Sequence, residues 1–434
     1  MTLRRRCGTV DLAASALVPR TAVSMQIAIV HYHLNRGGVA RVIENHLRAL
    51  AAIWHYPRPL DVALLFCGDK QGWPERLQEE LPNVRLHECP LSGLAYDTPE
   101  RPAPPAAQLA DDIETALRRT GFSPGSTLLH VHNHNLGKNA ALPLALRELA
   151  HRGLRLLLQI HDFAEDFRPA NYAYLLQRLA PDSPDALPCL LYPQASHIHY
   201  AVLNGRDHAI LSEAGVADEH LHALPNPVTV PGQLPAREPV RKRLAAVGLD
   251  PSRRFFVYPV RAIRRKNLGE AVLWAALLRD TAQVGNTLPP LNPVELPQYQ
   301  QWRRLGLALK LPLLFELGQL QDVTFPEVIA AADAVLTTSV AEGFGMVFLE
   351  TWLMGRPLVG RDLPEITAEF RDSGIQLNGL YDRLQIPLEL IDVDRFRQDL
   401  LDAYNLAALE YGRELLGPDD LDAAMPRLVR DGCV

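Results

Sequence analysis

The chain has 434 residues, of which 47% are hydrophobic and 22% are charged, and its formal net charge is −6. This length predicts two or three domains of roughly 150 residues each, and the composition is typical of a globular protein with substantial cores. The negative net charge excludes recruitment of nucleic acid or an anionic membrane by bulk charge. Five scattered cysteines without a Cys-x-x-Cys pair predict a reduced, cytoplasmic chain without disulfides.

The N-terminal segment does not have the pattern of a membrane or export signal. No apolar run reaches the roughly 18 residues of a membrane span. Arg4-Arg5-Arg6 resembles the start of a signal peptide, but Asp11 interrupts the stretch that follows, and we predict no secretory signal. Regular structure is expected to start at Met25, with residues 1–24 as a disordered extension or the product of an upstream start codon.

The first half of the chain alternates buried strands with helices. Residues 26–32 form an apolar strand, the loop 34–38 follows, and residues 39–52 have the apolar periodicity of a helix. Further strands are predicted at 62–67, 128–132, 154–161 and 199–203. Strands that alternate with helices indicate a parallel sheet covered on both faces.

A turn-rich stretch at 224–235 predicts a linker, after which the alternation resumes with strands at 255–260, 313–317, 334–338 and 357–360. The Pro-rich residues 281–300 are predicted to be an irregular surface excursion. We predict an N-terminal domain at 25–228, a second domain at 229–405 and a helical tail at 406–434, and we leave open whether the tail packs back on the first domain. The fold class is α/β, with two doubly wound Rossmann-like domains facing a cleft, where such sheets bind ligands.

One strand-to-helix segment contains the most informative motif, Ser339-Val340-Ala341-Glu342-Gly343-Phe344-Gly345-Met346-Val347-Phe348-Leu349-Glu350. Glycines at such a turn let the backbone approach a ligand, and the first amides of the helix are unpaired donors. Glu342 lies in the turn and Glu350 lies on the helix, and carboxylates are good acceptors for the hydroxyls of sugars and ribose. The alternative is a structural turn whose glutamate is favoured by the helix dipole.

The whole segment resembles the E-x7-E signature of the family 4 retaining glycosyltransferases, which have the GT-B fold. The resemblance covers roughly residues 25–370 and is strongest from 255 to 366. It implies that Glu342 lies by the donor sugar and that Glu350 holds the nucleotide ribose. It also implies that the sugar hydroxyls are bound along Gly343, Phe344 and Gly345.

A basic turn follows the first strand of the second half, in the sequence Val260-Arg261-Ala262-Ile263-Arg264-Arg265-Lys266-Asn267. Cleavage of a sugar–diphosphate bond leaves negative charge on the diphosphate, which a metal ion or fixed cations must offset. On charge alone, a solvated basic turn is the alternative. The turn resembles the Arg…Lys pair of the same family, which implies that Arg261 and Lys266 are catalytic, whereas Arg264 and Arg265 are left unassigned. Val260 replaces the glycine that the family usually has before the arginine.

Three features of the first half are assigned by the same resemblance. It implies that the Gly37-Gly38 loop approaches the donor phosphates and the acceptor, and that His161, at the end of a predicted strand, is a catalytic residue beside the donor sugar. His132 and His134 are expected to line the acceptor site. The histidine-rich first half is also somewhat similar to that of synthases of glycerate-based compatible solutes.

Two patterns that could bind metal are interpreted as structural. His130, His132 and His134 alternate and would share one face of an extended segment, but sequence spacing offers no carboxylate or cysteine to complete a ligand set. Asp392-Val393-Asp394 resembles a D-x-D motif, yet it directly precedes a helical run, which favours helix capping. We therefore predict no metal and no other cofactor.

Together these patterns predict transfer of a sugar from a nucleotide-diphosphate-sugar to a hydroxyl of a small soluble acceptor. The alternatives are a GT-B-fold phosphorylase, a nucleotide-sugar epimerase or a catalytically inactive sugar-nucleotide-binding subunit. No nucleic-acid partner and no transmembrane segment are expected, and homo-oligomerisation is left open. The sequence does not determine the base, the sugar or the acceptor.

Overall fold

The computed structural model describes residues 25–229 and 232–434. The prediction for residues 1–24 lies outside the described residues. Within the described ranges, no helix combines the length and the apolar character that crossing a membrane requires.

The first half forms a seven-stranded sheet in which every strand is parallel to its neighbours, in the order β3-β2-β1-β4-β5-β6-β7. Its strands are β1 (Gln26–Val30), β2 (Leu60–Phe66), β3 (Val84–Pro90), β4 (Thr127–His132), β5 (Arg155–Gln159), β6 (Ile198–Val202) and β7 (Leu221–Ala223). Its helices are α1 (Gly38–Ile53), α2 (Ala106–Arg119), α3 (Ala141–His151), α4 (Pro169–Leu179), α5 (Leu187–Leu191) and α6 (Gly205–Glu213). The predicted strands and the helix α1 are confirmed to within a few residues, whereas β3 and β7 were not predicted.

Alternation along β1 explains why the sheet is covered on both faces. Ala28 and Val30 belong to one buried core, whereas Ile27 and Ile29 belong to a second core that contains the inner face of α1. Successive side chains of a strand point to opposite faces. A short strand that is buried at every position therefore needs helices on both sides.

The second half forms a six-stranded parallel sheet in the order β10-β9-β8-β11-β12-β13. Its strands are β8 (Arg254–Arg261), β9 (Ala282–Leu288), β10 (Leu313–Leu314), β11 (Ala334–Thr337), β12 (Leu358–Arg361) and β13 (Leu380–Tyr381). The helices are α7 (Arg237–Ala245), α8 (Leu268–Leu277), α9 (Leu296–Ala308), α10 (Phe325–Ala331), α11 (Met346–Leu353), α12 (Pro364–Asp372), α13 (Val393–Glu410) and α14 (Pro418–Leu428). The predicted α/β architecture with two parallel sheets is confirmed.

The prediction that residues 281–300 form an irregular surface excursion is wrong. Residues 282–288 form the buried strand β9, which pairs with β8, and residues 296–308 form the helix α9. The polar residues of β9 hid it from a search for apolar runs, but their side chains donate hydrogen bonds inside the fold. Asn286 Nδ2 and Thr287 Oγ1 both donate to the carbonyl of Val260, at 3.0 and 3.1 Å, and Gln283 Nε2 donates to the carbonyl of Gly248 at 3.0 Å.

The C-terminal helices return to the first half of the chain. The hydroxyl of Tyr411, directly after α13, accepts a hydrogen bond from the backbone N–H of Arg168 at 2.9 Å, and its ring packs 5.2 Å from that of Tyr172 on α4. The predicted domain limit at residue 405 falls inside α13. The capping interpretation of Asp392 is confirmed, because its carboxylate accepts from the backbone N–H of Arg395 at 3.0 Å.

A buried carboxyl at the start of α6 makes stability depend on pH. Burial is the main cause that raises the pKa of Asp207 to about 7; Arg206 opposes this shift, and Asp166 reinforces it. The folded state therefore holds a proton that the unfolded chain releases near the ordinary pKa of 3.8. The stabilising contribution is complete below that ordinary value and is lost as the pH rises through about 7.

We therefore expect Asp207→Asn to raise the melting temperature at pH 8 and to have no such effect near pH 4. The amide removes the cost of a buried charge at high pH and replaces a neutral acid at low pH. Thermal unfolding at both pH values measures the difference, with the surface variant Asp218→Asn as the control. An equal effect of Asp207→Asn at both pH values would contradict this assignment.

Candidate active site

The carboxyl ends of the two sheets meet at a polar interface. Asn204, after β6, donates from Nδ2 to the carbonyl of Gly343, after β11, at 2.9 Å. The N–H of Gly205 donates to the carboxylate of Glu369 on α12. Ligands bind parallel sheets at these ends, so the contacts place the predicted cleft at the junction of the two halves.

The basic turn after β8 is held by side chains from β8 itself and from the end of β11. Tyr258 donates its hydroxyl to the carbonyl of Lys266 at 2.7 Å, and Thr338 donates to the same carbonyl at 3.0 Å. Asn267 completes the turn in the left-handed region, with φ 48°. These contacts hold the backbone of Lys266 in place, so that its side chain projects from a rigid support.

Lys266 and Glu342 form a buried ion pair through Nζ and Oε1. Their side chains are 15% and 8% exposed. Burial lowers the pKa of Lys266, whereas Glu342 acts in the opposite direction. Burial also opposes ionisation of Glu342, but Lys266 and Arg265 outweigh it and hold the pKa of this carboxyl below its usual range. The first motif and the basic turn, separate in sequence, are therefore one charged unit.

A second set of charges joins the two halves of the chain. Arg265 contacts Asp162 at 3.2 Å, and Arg168 contacts the same carboxylate at 2.7 Å. Burial opposes ionisation of Asp162, but the two guanidinium groups keep its pKa below its usual value. Together with the Lys266–Glu342 pair, this network contains three cations and two carboxylates, which leaves one positive charge in excess.

The structure does not bring Arg261 into this network. Its guanidinium donates to the carbonyl of Pro289 at 3.0 Å. Burial lowers its pKa, and it has no carboxylate partner within the described ranges. Arg265, which sequence reasoning left unassigned, lies in the network instead.

The glycines of the motif allow close packing. A Cβ on Gly343 would lie 2.3 Å from the carbonyl oxygen of His161, so this residue lets the two halves approach each other. Gly345 precedes α11 in the left-handed region, with φ 77°. The side chain of Phe344 packs in a hydrophobic core with its ring edge-to-face against Phe370, 5.4 Å between centroids, so that the sugar contact expected here is left to the backbone amide.

Glu350 lies on α11 and makes no side-chain hydrogen bond to any of the described residues. Burial raises the pKa of its carboxyl, and the positive charge of Arg41 on α1 opposes that effect. A partly buried acceptor without a partner is available to a hydroxyl ligand. Its placement is compatible with the predicted ribose contact.

His161 is held by a neighbour that sequence reasoning missed. Asn133, in the left-handed region with φ 57°, accepts from the backbone N–H of His161 at 2.8 Å through Oδ1. The ring of His161 stacks on that of His132, and His161 Nε2 lies 2.9 Å from His132 Nδ1. Burial is the main cause that lowers the pKa of His161 to about 3, so the imidazole is neutral at pH 7.

The other two predicted substrate-contacting histidines are enclosed in the protein. His132 is fully buried behind His161, and His134 is 1% exposed and bonds the carbonyl of Leu191 through Nε2 at 2.7 Å. The predicted alternation ends at His132, because Asn133 turns the backbone and sends His134 towards α5. The expectation that His132 and His134 line the acceptor site is therefore not met in this conformation.

Gly37 and Gly38 begin α1 at the same end of the first sheet. Both residues are exposed, and no side chain caps the helix. The unpaired amides at a helix N-terminus favour an anion. This geometry is compatible with the predicted approach to phosphate.

Comparison with solved structures identifies the architecture. The Anabaena HepE protein, solved in complex with UDP-glucose, is 15% identical with a TM-score of 0.57, and the match covers 93% of this chain and 99% of that one. The Thermosynechococcus elongatus sucrose-phosphate synthase is 15% identical with a TM-score of 0.54, over 93% and 98% of the two chains. The trehalose-6-phosphate synthase OtsA is 14% identical with a TM-score of 0.53, over 80% and 87%. The fold is GT-B.

Among curated proteins, the chain is 26% identical over 381 residues to the mannosylglucosyl-3-phosphoglycerate synthase of Petrotoga mobilis. The match covers 85% of this chain and 71% of the relative. No protein-family model matches the chain.

The close approach at Gly343 leads to a stability prediction. Gly343→Ala would place a methyl group against the carbonyl oxygen of His161. This oxygen belongs to the backbone, so it cannot move away as the end of a flexible side chain could. We expect a loss of roughly 1–3 kcal/mol in the free energy of unfolding, as for overpacking in a core. Denaturant unfolding measures it.

The matched control is Gly38→Ala, because a Cβ there would meet no atom within 4 Å. It is expected to leave stability unchanged or to raise it by up to about 1 kcal/mol, since alanine is the better helix former. Equal stability of the two variants would show that the two halves do not meet at Gly343 in solution.

Proposed function

We propose that this protein is a cytoplasmic, metal-independent glycosyltransferase that moves a sugar from a nucleotide-diphosphate-sugar to an acceptor hydroxyl with retention of configuration. The observation that carries the proposal is the buried Lys266–Glu342 pair at the carboxyl ends of the second sheet. The GT-B fold and the Petrotoga relative support the enzyme class. The resemblance of the 339–350 and 260–267 segments to family 4 enzymes supports the finer assignment.

The donor is proposed to bind the second half, with its diphosphate at the basic turn and its ribose at Glu350. Lys266 is the principal cation, and Arg261 joins it by leaving the carbonyl of Pro289. The excess positive charge of the network favours a dianionic diphosphate. Glu342 and the backbone amides after it hold the sugar hydroxyls.

Retention is proposed to occur by attack on the face from which the diphosphate leaves. The bond between the anomeric carbon and the diphosphate oxygen breaks, the acceptor oxygen bonds to that carbon, and the acceptor proton passes to the leaving phosphate. The state of the carboxylates supports this route over a double displacement. Among the described residues of the network, Glu342 is paired with Lys266, and Asp162 is shared by two arginines, so neither is a free nucleophile.

We expect Lys266→Ala to lower kcat by about 10²- to 10³-fold, because the departing diphosphate loses a fixed cation. EDTA is expected to leave wild-type turnover unchanged. Release of nucleoside diphosphate from UDP-glucose and GDP-mannose, in the presence of acceptor, measures both effects. Near-wild-type rates for Lys266→Ala, or full dependence on Mg²⁺ or Mn²⁺, would refute the assignment.

Two controls separate catalysis from folding. Lys242→Ala removes a lysine from the exposed side of α7 and is expected to retain activity. Lys266→Ala leaves the carboxylate of Glu342 buried without its partner, which is itself destabilising. The double variant Lys266→Met/Glu342→Gln removes both charges, so a low rate in a variant with normal thermal stability is assigned to catalysis.

The acceptor is proposed to be small, soluble and negatively charged. Lys138, in the loop after β4, has no carboxylate partner within 25–229 or 232–434, and its Nζ lies 5.3 Å from the centre of the Tyr96 ring. Burial, reinforced by Arg168, lowers its pKa. His33 contacts the hydroxyl of Tyr96 at 3.1 Å, so that an aromatic and cationic surface forms at the carboxyl end of the first sheet. The name of the Petrotoga relative contains a 3-phosphoglycerate unit, which supports an anionic acceptor.

We expect Lys138→Gln to raise the KM for 3-phosphoglycerate or glucosyl-3-phosphoglycerate by roughly 10- to 100-fold, the effect of losing a hydrogen bond to a charged group. The KM for the donor is expected to stay the same. The control Lys70→Gln removes a surface lysine that pairs with Glu88. An unchanged acceptor KM in Lys138→Gln, with activity on these acceptors established, would exclude Lys138 from the acceptor site.

A further inference from the structure

Five histidines lie together on the face of the first sheet that α1 covers. Their rings are close neighbours. The ring centroids of His130 and His132 are 4.4 Å apart, and the ring centroid of His46 on α1 lies 5.7 Å from that of His130 and 6.0 Å from that of His132. His161 stacks 5.2 Å from His132, and His31 lies 6.3 Å from it. We call these five residues the histidine cluster. The steps proposed for the transfer reaction do not involve His31, His46, His130 or His132.

Three members of the histidine cluster have the geometry of a ligand set. His46, His130 and His132 each present one ring nitrogen, and these atoms all lie within 4.8 Å of one another. Three nitrogens bound tetrahedrally to zinc at about 2.0 Å are roughly 3.3 Å apart. Small rotations of the rings would therefore close the set around one ion.

Several ring nitrogens of this set have no hydrogen-bond partner among the described residues. Both ring nitrogens of His46, and Nε2 of His132, are buried without a hydrogen bond. A buried polar atom without a partner normally costs about 1–3 kcal/mol. Two neighbouring rings therefore have nitrogens that are available to one shared ligand.

His130 and His132 each use another ring nitrogen for a polar contact within the protein, as metal-bound histidines usually do. His130 Nε2 lies 2.8 Å from Oε1 of Gln159, and His132 Nδ1 lies 2.9 Å from Nε2 of His161. Such outer contacts fix the tautomer and direct the other nitrogen towards the metal.

We propose that His46, His130 and His132 bind one divalent transition-metal ion, with zinc as the best match, in the first half of the chain. Three neutral imidazoles suit zinc, and a water molecule would complete a tetrahedral site. The role proposed for the site is structural, because a metal ion there would connect α1 to β4, next to the linker at residues 224–235. The linker contacts both neighbours of the site, because Asn45 Nδ2 donates to the carbonyl of Pro227 at 2.7 Å and Gln159 Nε2 donates to that of Leu224 at 3.4 Å.

The test is titration of the chelator-treated full chain with Zn²⁺, and with Co²⁺, whose visible absorption reports a tetrahedral nitrogen site. We expect one ion per chain and a higher melting temperature in its presence. His46→Gln and His130→Gln are expected to weaken binding by at least roughly tenfold, and Gln159→Leu by about 10- to 100-fold through loss of the outer contact.

Two matched histidine variants guard against incidental binding. His87→Gln removes a ring that already contacts Asp61 at 2.9 Å. His222→Gln breaks an exposed pair in which His199 Nδ1 lies 2.8 Å from His222 Nε2. Both variants are expected to bind zinc as the wild type does. Binding that survives His46→Gln but is lost in His222→Gln, or no binding at micromolar zinc, would overturn the proposal.

This outcome is independent of the transfer reaction. Zinc binding and melting temperature are measured without any sugar substrate. Dependence of turnover on Mg²⁺ or Mn²⁺ would contradict the proposed function, and failure of the zinc titration would contradict only the histidine site.

Discussion

The charged network between the two sheets is the interaction on which the site depends. Arg168, Asp162 and Arg265 connect the first half of the chain to the basic turn, and Lys266 connects that turn to Glu342. All five groups are partly or fully withdrawn from water. Because removing one member of such a network leaves another charge without its partner, the arrangement is sensitive to any change in the relative position of the two sheets.

Gly343 lies at the same junction of the two halves as the charged network. The carbonyl of Gly343 accepts from Asn204, and its missing side chain leaves room for the carbonyl of His161. The backbone contact and the ion pairs thus fix the same junction, one by shape and the other by charge.

Much of the fold could be predicted from the sequence because its central strands are short apolar runs. β1 and β11 are buried along their whole length and are recognisable without any partner. β9 was missed because Gln283, Asn286 and Thr287 are polar, and only the folded chain shows that their side-chain donors bond to carbonyls of other segments. Strands of two or three residues, such as β7, β10 and β13, are too short to show an apolar run or an alternation, so their first and last residues cannot be predicted from the sequence.

The residues of the site could be predicted where the local sequence determines the geometry. They could not be predicted where tertiary contacts determine which of several similar residues reaches the site. The resemblance assigned Lys266 and Glu342 to different parts of the donor, and only the structure shows that they form an ion pair. Four basic residues in one turn cannot be ranked by sequence, and Arg265 rather than Arg261 meets the first half of the chain. In the same way, alternation placed His130 and His132 on one face but could not foresee that Asn133 would redirect His134.

The histidine cluster illustrates the limit of spacing arguments most clearly. Rejecting a metal site from the spacing of three nearby histidines assumed that the ligands would be close in sequence. His46 lies more than eighty positions before its neighbours, on a helix that reaches them only because β1 and β4 are adjacent in the sheet. Parallel sheets routinely bring such distant segments together, since consecutive strands in space need not be consecutive in the chain. A ligand set in this class of fold is therefore a property of strand order, and it becomes visible only when the order β2-β1-β4-β5 is known.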